Sequence, residues 1–266
     1  MATDSAGCDD EESGNHGLQI VDVTDIQARV PNPQTHVISA ICWADGSVAM
    51  QPLPVTIKGK HYIIFTDEGG GPLHTSPVFD LTCCSGSARL IDISDETAPK
   101  VVAKFKLEIQ LPAHADTAVR DSEGNGVFGY QAHYCNVDRL VEPTVLGCTE
   151  FDSGIRVFDI RNPLRPREIA YFIPPAQLGK NDQLSGSEHA SNPINQWRHE
   201  EDSDNLLNPY PKLNADWCTA QVRFVPERGE LWTSCLDNGF LTLKFTNGVW
   251  PFSDHRTQSG PTSSSG

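Results

Sequence analysis

No apolar run in the sequence approaches the roughly 18 residues that a membrane-spanning helix needs. Positive charge is scarce: 20 Lys and Arg stand against 35 Asp and Glu, a formal net charge of −15. A phosphate backbone is held by clustered Lys and Arg, so nucleic acid is excluded as a partner. Arg161, Arg165 and Arg167 form one small basic turn, too few for that purpose. There is no Cys-x-x-Cys and no Cys/His cluster at zinc-finger spacing. Nucleophile-elbow, P-loop, His-Glu-x-x-His and dinucleotide fingerprints are all missing, and the glycines at 69–71 lack the lysine of a phosphate cradle. The acidic runs Asp9–Glu12 and Glu200–Asp204 lack the spaced ligands of a calcium loop and read as solvated charge. The first residues are acidic and polar, without the basic and apolar regions of a secretory signal.

What is present is glycine (21), proline (19) and a repeat. That composition suits many short strands joined by turns. Gly17-Leu-Gln-Ile-Val-Asp-Val-Thr-Asp25 reads like Ser87-Ala-Arg-Leu-Ile-Asp-Ile-Ser-Asp95 and Gly154-Ile-Arg-Val-Phe-Asp-Ile-Arg-Asn162. Gly239-Phe-Leu-Thr-Leu-Lys-Phe-Thr-Asn247 is a degenerate fourth copy. Each copy has strand composition, with apolar residues at adjacent positions, so both faces are expected to be buried. The aligned aspartates Asp22, Asp92 and Asp159 precede Thr, Ser or Arg by two residues, as in a turn that bonds its own backbone.

Further strands flank the copies. His36–Cys42 and His61–Thr66 precede Ser87, and Val101–Leu107 follows it. Gln131–Asp138 and Thr144–Thr149 precede Gly154, and Arg167–Ile173 follows it. Trp217–Val225 and Glu230–Cys235 precede Gly239. Each unit is thus expected to be four antiparallel strands, A to D, with the repeated motif as strand C. Four-stranded units repeating radially are propeller blades. Copies lie 70, 67 and 85 residues apart, more than the roughly 40–45 residues of a compact blade. Insertions near 67–84, 108–130 and 174–216 account for the excess.

On these residues the chain resembles the LVIVD-repeat β-propeller family, named for a run such as Leu18-Gln-Ile-Val-Asp-Val. More distantly it is similar to selenium-binding-type propellers. The resemblance implies an all-β propeller, extracellular or at the cell surface, without an assigned activity. The blades do not close: about three and a half are present. Residues 1–16 form an acidic N-terminal segment, 17–251 the blades, and 252–266 a Ser/Gly-rich tail expected to be disordered. We therefore expect the C-terminal part of a longer propeller, with further blades upstream of Met1; self-association through an open blade edge is the alternative.

Two strand pairs carry cysteines in the same arrangement, Cys135 with Cys148 and Cys218 with Cys235, and each pair is expected to form a disulfide, buried thiols being the alternative. Cys83 and Cys84 are open to pairing with each other or with Cys42, and Cys8 is unassigned. Strand A is innermost in a propeller, so residues at its start face the central funnel. These are His133 and Tyr134 in one blade, Asp216 and Trp217 in the next, and His36 in the first whole blade; His114 lies on an insertion that reaches the same mouth. The first functional reading is a non-enzymatic binding module for a protein or glycan, without a cofactor. The second is a metal-dependent oxidase or hydrolase using His133, His36, His114 or Asp216.

Overall fold

The computed structural model describes residues 2–3, 16–43, 49–68, 86–114, 117, 130–175, 215–236, 238–246 and 248–249. The protein is all-β, with one four-residue helix, α1 (Thr24–Gln27), among the described residues. Four antiparallel sheets follow one another along the chain. The first holds β1 (Ala2–Thr3), β2 (His16–Asp22) and β3 (His36–Trp43). The second holds β4 (Ala49–Ile57), β5 (Lys60–Asp67), β6 (Ala88–Asp92) and β7 (Lys100–Lys104). The third holds β8 (Cys135–Val137), β9 (Val145–Glu150), β10 (Gly154–Asp159) and β11 (Arg167–Phe172). The fourth holds β12 (Arg223–Val225), β13 (Glu230–Cys235) and β14 (Gly239–Lys244). Within each sheet the strands are ordered as in the chain. The four repeat copies are β2, β6, β10 and β14.

The adjacent apolar residues of each copy feed different interfaces, because successive side chains of a strand point to opposite faces. Leu90 joins a cluster with Val55, Ile64, Leu146 and Phe158, between the second and third sheets. Ile91 joins Leu18, Trp43 and Phe65, between the first and second. Phe158 packs in the former cluster, while Val157 packs with Val145, Val222 and Leu231 between the third and fourth sheets. Gly147 makes that last contact close: a Cβ there would meet Val222 Cγ2 at 2.8 Å and Phe224 Cζ at 2.9 Å. No apolar cluster among the described residues joins the first sheet to the fourth.

The aspartates end their strands as the sequence implies. Asp22 Oδ1 accepts the Thr24 amide at 2.8 Å, Asp92 Oδ1 the Ser94 amide at 2.9 Å, and Asp159 Oδ1 the Arg161 amide at 3.1 Å.

Two expectations are corrected. His36–Cys42 is not the first strand of the second sheet: it pairs with β2, Cys42 opposite Gly17 and His36 opposite Asp22. The first strand of the second sheet is β4, with Pro52 and Pro54 inside it. β4 is an edge strand of its sheet, and prolines are tolerated there when their nitrogen faces away from the partner strand. Thr56, on the same parity, directs its amide away from β5 to Leu140 O at 2.9 Å. Secondly, residues 1–16 are not wholly a segment apart from the sheets, since Ala2 and Thr3 pair with Leu18 and Gly17 and β2 opens at His16.

Of the expected insertions, the second contains short 3-10 turns at Glu108–Gln110 and Pro112–His114. The third is pinned at its base, where Pro175 bridges Ala215 and the Asp216 amide donates to Pro174 O at 2.8 Å. The acidic runs, the glycines at 69–71, the tail 252–266, Cys8, Cys83 and Cys84 lie outside the described residues. Among the described residues no helix is long and apolar enough to cross a membrane.

Candidate functional site

Two disulfides anchor the strands around the site. Cys135 on β8 faces Cys148 on β9, and Cys218 faces Cys235 on β13, each pair with Cα atoms 4.1 Å apart. The two pairs share strand placement but not level: Cys148 lies opposite Arg156, Cys235 opposite Gly239, the residue that opens its repeat copy. Cys42 is disulfide-bonded as well.

Strand β8 lies between β4 and β12, and side chains from both sides satisfy its backbone. The Cys135 amide donates to Gln51 Oε1 at 3.2 Å, and Gln221 Nε2 donates to the Cys135 carbonyl at 3.3 Å. Just ahead of β8, the His133 amide donates to Thr149 O at 2.8 Å, which fixes its ring at the meeting of three sheets. His133 Nδ1 lies 2.5 Å from the carbonyl of Thr219, which leads into β12. A carbonyl only accepts, so Nδ1 carries a proton. Nε2 then faces Glu68 Oε1 at 3.7 Å, just past the end of β5. Burial pushes the Glu68 carboxyl above its ordinary range, and His133 pulls it back.

Aromatic rings surround this pair. Tyr134 packs edge-on to His133 with centroids 4.3 Å apart, and Phe151 lies at 5.2 Å. Phe151 in turn meets Trp217 edge-on at 5.5 Å, and Trp217 Nε1 donates to Asp152 Oδ1 at 2.7 Å. Phe151 sits in the β9–β10 hairpin with φ +23°, a sparsely populated conformation for a bulky residue. The arrangement offers one imidazole nitrogen, one carboxylate and aromatic faces: recognition chemistry for a polar group on a flat or ring-shaped ligand.

Beside it lies a buried polar layer. Arg89 Nη2 and Asp67 Oδ2 are 2.6 Å apart with both side chains fully buried, and the guanidinium stands 4.1 Å over the Trp43 ring. In the third sheet Glu150 is fully buried and accepts Gln110 Nε2 at 3.0 Å. Desolvation drives its pKa up to about 8, against the pull of Arg156. Gln110 ties the layer to the connecting segment, accepting the Leu107 amide at 2.8 Å and donating to Tyr130 O.

The structure gathers His133, Tyr134 and Trp217 at this one place. Asp216, next to Trp217, is fully buried and accepts both the amide and the side-chain nitrogen of Asn238 at 2.8 Å, which ties it to the start of β14. His36 is exposed at the start of β3, the strand of the first sheet farthest from β1, so the place expected for it at the funnel is corrected. His114 is partly exposed, with Nε2 3.6 Å from Glu108 Oε1. Sequence reasoning missed Glu68, Phe151, Asp152 and the Asp67–Arg89 and Glu150–Gln110 pairs. A signal existed: Thr66-Asp67 and Thr149-Glu150 both end the strand before a repeat copy, and both copies carry arginine at the third position. Among the described residues no group of three His, Cys, Asp or Glu side chains is placed to hold a metal ion.

No protein-family model matches the chain, and no curated protein sequence does.

Proposed function

We propose that this chain is built of β-propeller blades of the LVIVD-repeat kind and acts outside the cell as a binding module, taking its ligand around His133. The observation that carries this reading is the position of His133, bonded to its own sheet and reached from the sheet before it by Glu68 and from the sheet after it by Thr219. A residue shared by three successive sheets lies where blades would converge, and propellers bind ligands at that convergence. The sequential four-stranded sheets and the recurrence of the repeat as the third strand of β4–β7 and of β8–β11 support the propeller. The disulfides support an oxidising compartment. The binding role itself rests on the site rather than on the fold.

The test compares wild type, His133→Ala and Glu68→Ala on a printed glycan array and on a peptide library, with His36→Ala, at the exposed start of β3 in the first sheet, as the control. Binding that is lost in the first two variants and kept in the control supports the reading. Metal analysis of the same preparations is the opposing arm. Stoichiometric copper, iron or zinc that disappears on His133→Ala would replace the binding module with the metal-dependent enzyme.

A further inference from the structure

We propose that the turn joining β10 to β11 is a separate binding site for a sulfated glycan. The turn borders a cavity of about 330 Å³ lined by Asp159, Arg161, Asn162, Arg165 and Arg167. Arg161 donates from Nε and Nη2 to the two oxygens of Asp159, at 3.0 and 2.6 Å. Arg167 Nη2 lies 3.7 Å from the same carboxylate. One carboxylate, held well below its ordinary pKa chiefly by the Arg161 hydrogen bond, thus orders two guanidinium groups side by side. Arg165 has no ion-pair partner among the described residues. Among the described residues the turn thus carries three guanidiniums and one carboxylate, on a chain of net charge −15. The next carboxylate along the chain, Glu168, is taken up by Arg156 at 3.0 Å.

The sister turn between β6 and β7 shows that the fold does not require these arginines. Its backbone bonds are the same. Asp92 Oδ1 accepts the Ser94 amide as Asp159 Oδ1 accepts that of Arg161. Asp95 Oδ1 accepts the Thr97 amide at 3.0 Å as Asn162 Oδ1 accepts that of Leu164 at 3.2 Å. The Ala98 amide donates to Asp95 O as the Arg165 amide donates to Asn162 O, both at 3.0 Å. Arg161, Arg165 and Arg167 therefore stand where Ser94, Ala98 and Lys100 stand, and Asn162 replaces Asp95. An acidic turn has become a basic one while the backbone-amide bonds that shape it stay the same, so the turn forms without these arginines.

Clustered guanidinium forks recognise tetrahedral oxyanions bidentately. On macromolecules these are sulfate or phosphate esters. The disulfides fit an oxidising compartment, and outside the cell sulfated polysaccharide is an abundant source of such esters. Remote acidic residues weigh little, since screening at physiological salt acts over about 8 Å. The site is distinct from the one at His133: Asp159 pairs with Val145 at the start of β9, whereas His133 bonds Thr149 near its end.

The experiment is surface plasmon resonance of the whole chain over an immobilised heparin octasaccharide. Wild type is expected to bind, to lose affinity steeply with added sodium chloride, and to ignore the desulfated octasaccharide. The triple variant Arg161→Ser, Arg165→Ala, Arg167→Lys installs the sister turn's residues and is expected to weaken binding at least tenfold with unchanged Tm. Arg165→Ala alone breaks no ion pair and should weaken binding several-fold, which serves as the test if the triple variant fails to fold. Failure of wild type to bind, equal binding of the desulfated probe, or variants that bind like wild type would each overturn the proposal. So would competition by a phosphoserine peptide at lower concentration than the free octasaccharide, which would assign the turn to phosphorylated protein.

Discussion

Asp67 and Glu150 occupy the same register position in neighbouring sheets, each one residue past a threonine, yet only Asp67 meets its arginine. Arg89 turns inward and lies 2.6 Å from Asp67. Arg156, its counterpart, turns outward to Ser153 O at 2.9 Å and Glu168 at 3.0 Å, with its guanidinium over Tyr171. Two copies of one repeat thus bury an acid in two ways, once as an ion pair and once as a carboxyl that holds its proton at neutral pH.

That difference sets a pH dependence. Glu150 has a folded pKa of about 8 against an ordinary value of 4.5. Between these values the unfolded chain releases a proton that the folded chain keeps, so the contribution is complete below about pH 4.5, falls through the interval and is gone above about pH 8. Urea midpoints of wild type should therefore drop between pH 5 and pH 8.5. In Glu150→Gln the drop should be smaller by roughly a few kcal/mol. Carboxylates held low by their hydrogen bonds, such as Asp22, Asp95 and Asp159, act in the opposite sense and only as pH falls below their unfolded values. Parallel curves for wild type and variant would show that Glu150 is ionised in the fold.

Arg89→Met should cost about 3–5 kcal/mol, because it leaves the Asp67 carboxylate buried without its cation. Replacing both partners, Arg89→Met with Asp67→Leu, should recover most of that loss. The corresponding Arg156→Met removes a partly exposed pair between β10 and the edge strand β11 and should cost less, about 1 kcal/mol. Denaturant unfolding of these proteins together with the single variant Asp67→Leu, five in all with wild type, decides it, and an additive double variant would mean that the pair is not coupled.

Gly154 and Gly59 separate crowding from backbone strain. Both have positive φ, +67° and +72°. A Cβ on Gly154 would lie 2.3 Å from Phe172 O, whereas nothing lies within 4 Å at Gly59. Gly59→Ala should therefore cost only the left-handed penalty of about 1–2 kcal/mol. Gly154→Ala must also push β11 from β10 and should lose roughly 3 kcal/mol or more in a thermal unfolding comparison. Equal losses would mean that β11 gives way freely.

Much of the secondary structure was legible locally. The repeat copies became β2, β6, β10 and β14 because adjacent apolar residues, small openers and aspartate turns are short-range signals. Cysteine placement on paired strands led to the Cys135–Cys148 and Cys218–Cys235 bonds because antiparallel hairpins fix which residues face each other. Strand β4 was missed because Pro52 and Pro54 mark a break in a local reading, and only its edge position makes them harmless. That omission also misplaced His36 by shifting one strand across a sheet boundary.

By itself, then, the sequence determined most of the strands, their turns and the pairing within the hairpins of the third and fourth sheets, all set by periodicity and backbone chemistry over a few residues. The tertiary structure decided which sheets pack on which faces. That packing brings Glu68 to His133 across 65 positions, sends Arg89 inward and Arg156 outward, and lifts the Glu150 pKa. These outcomes depend on desolvation and on distances between groups far apart in the chain, and no local pattern of residue types carries either.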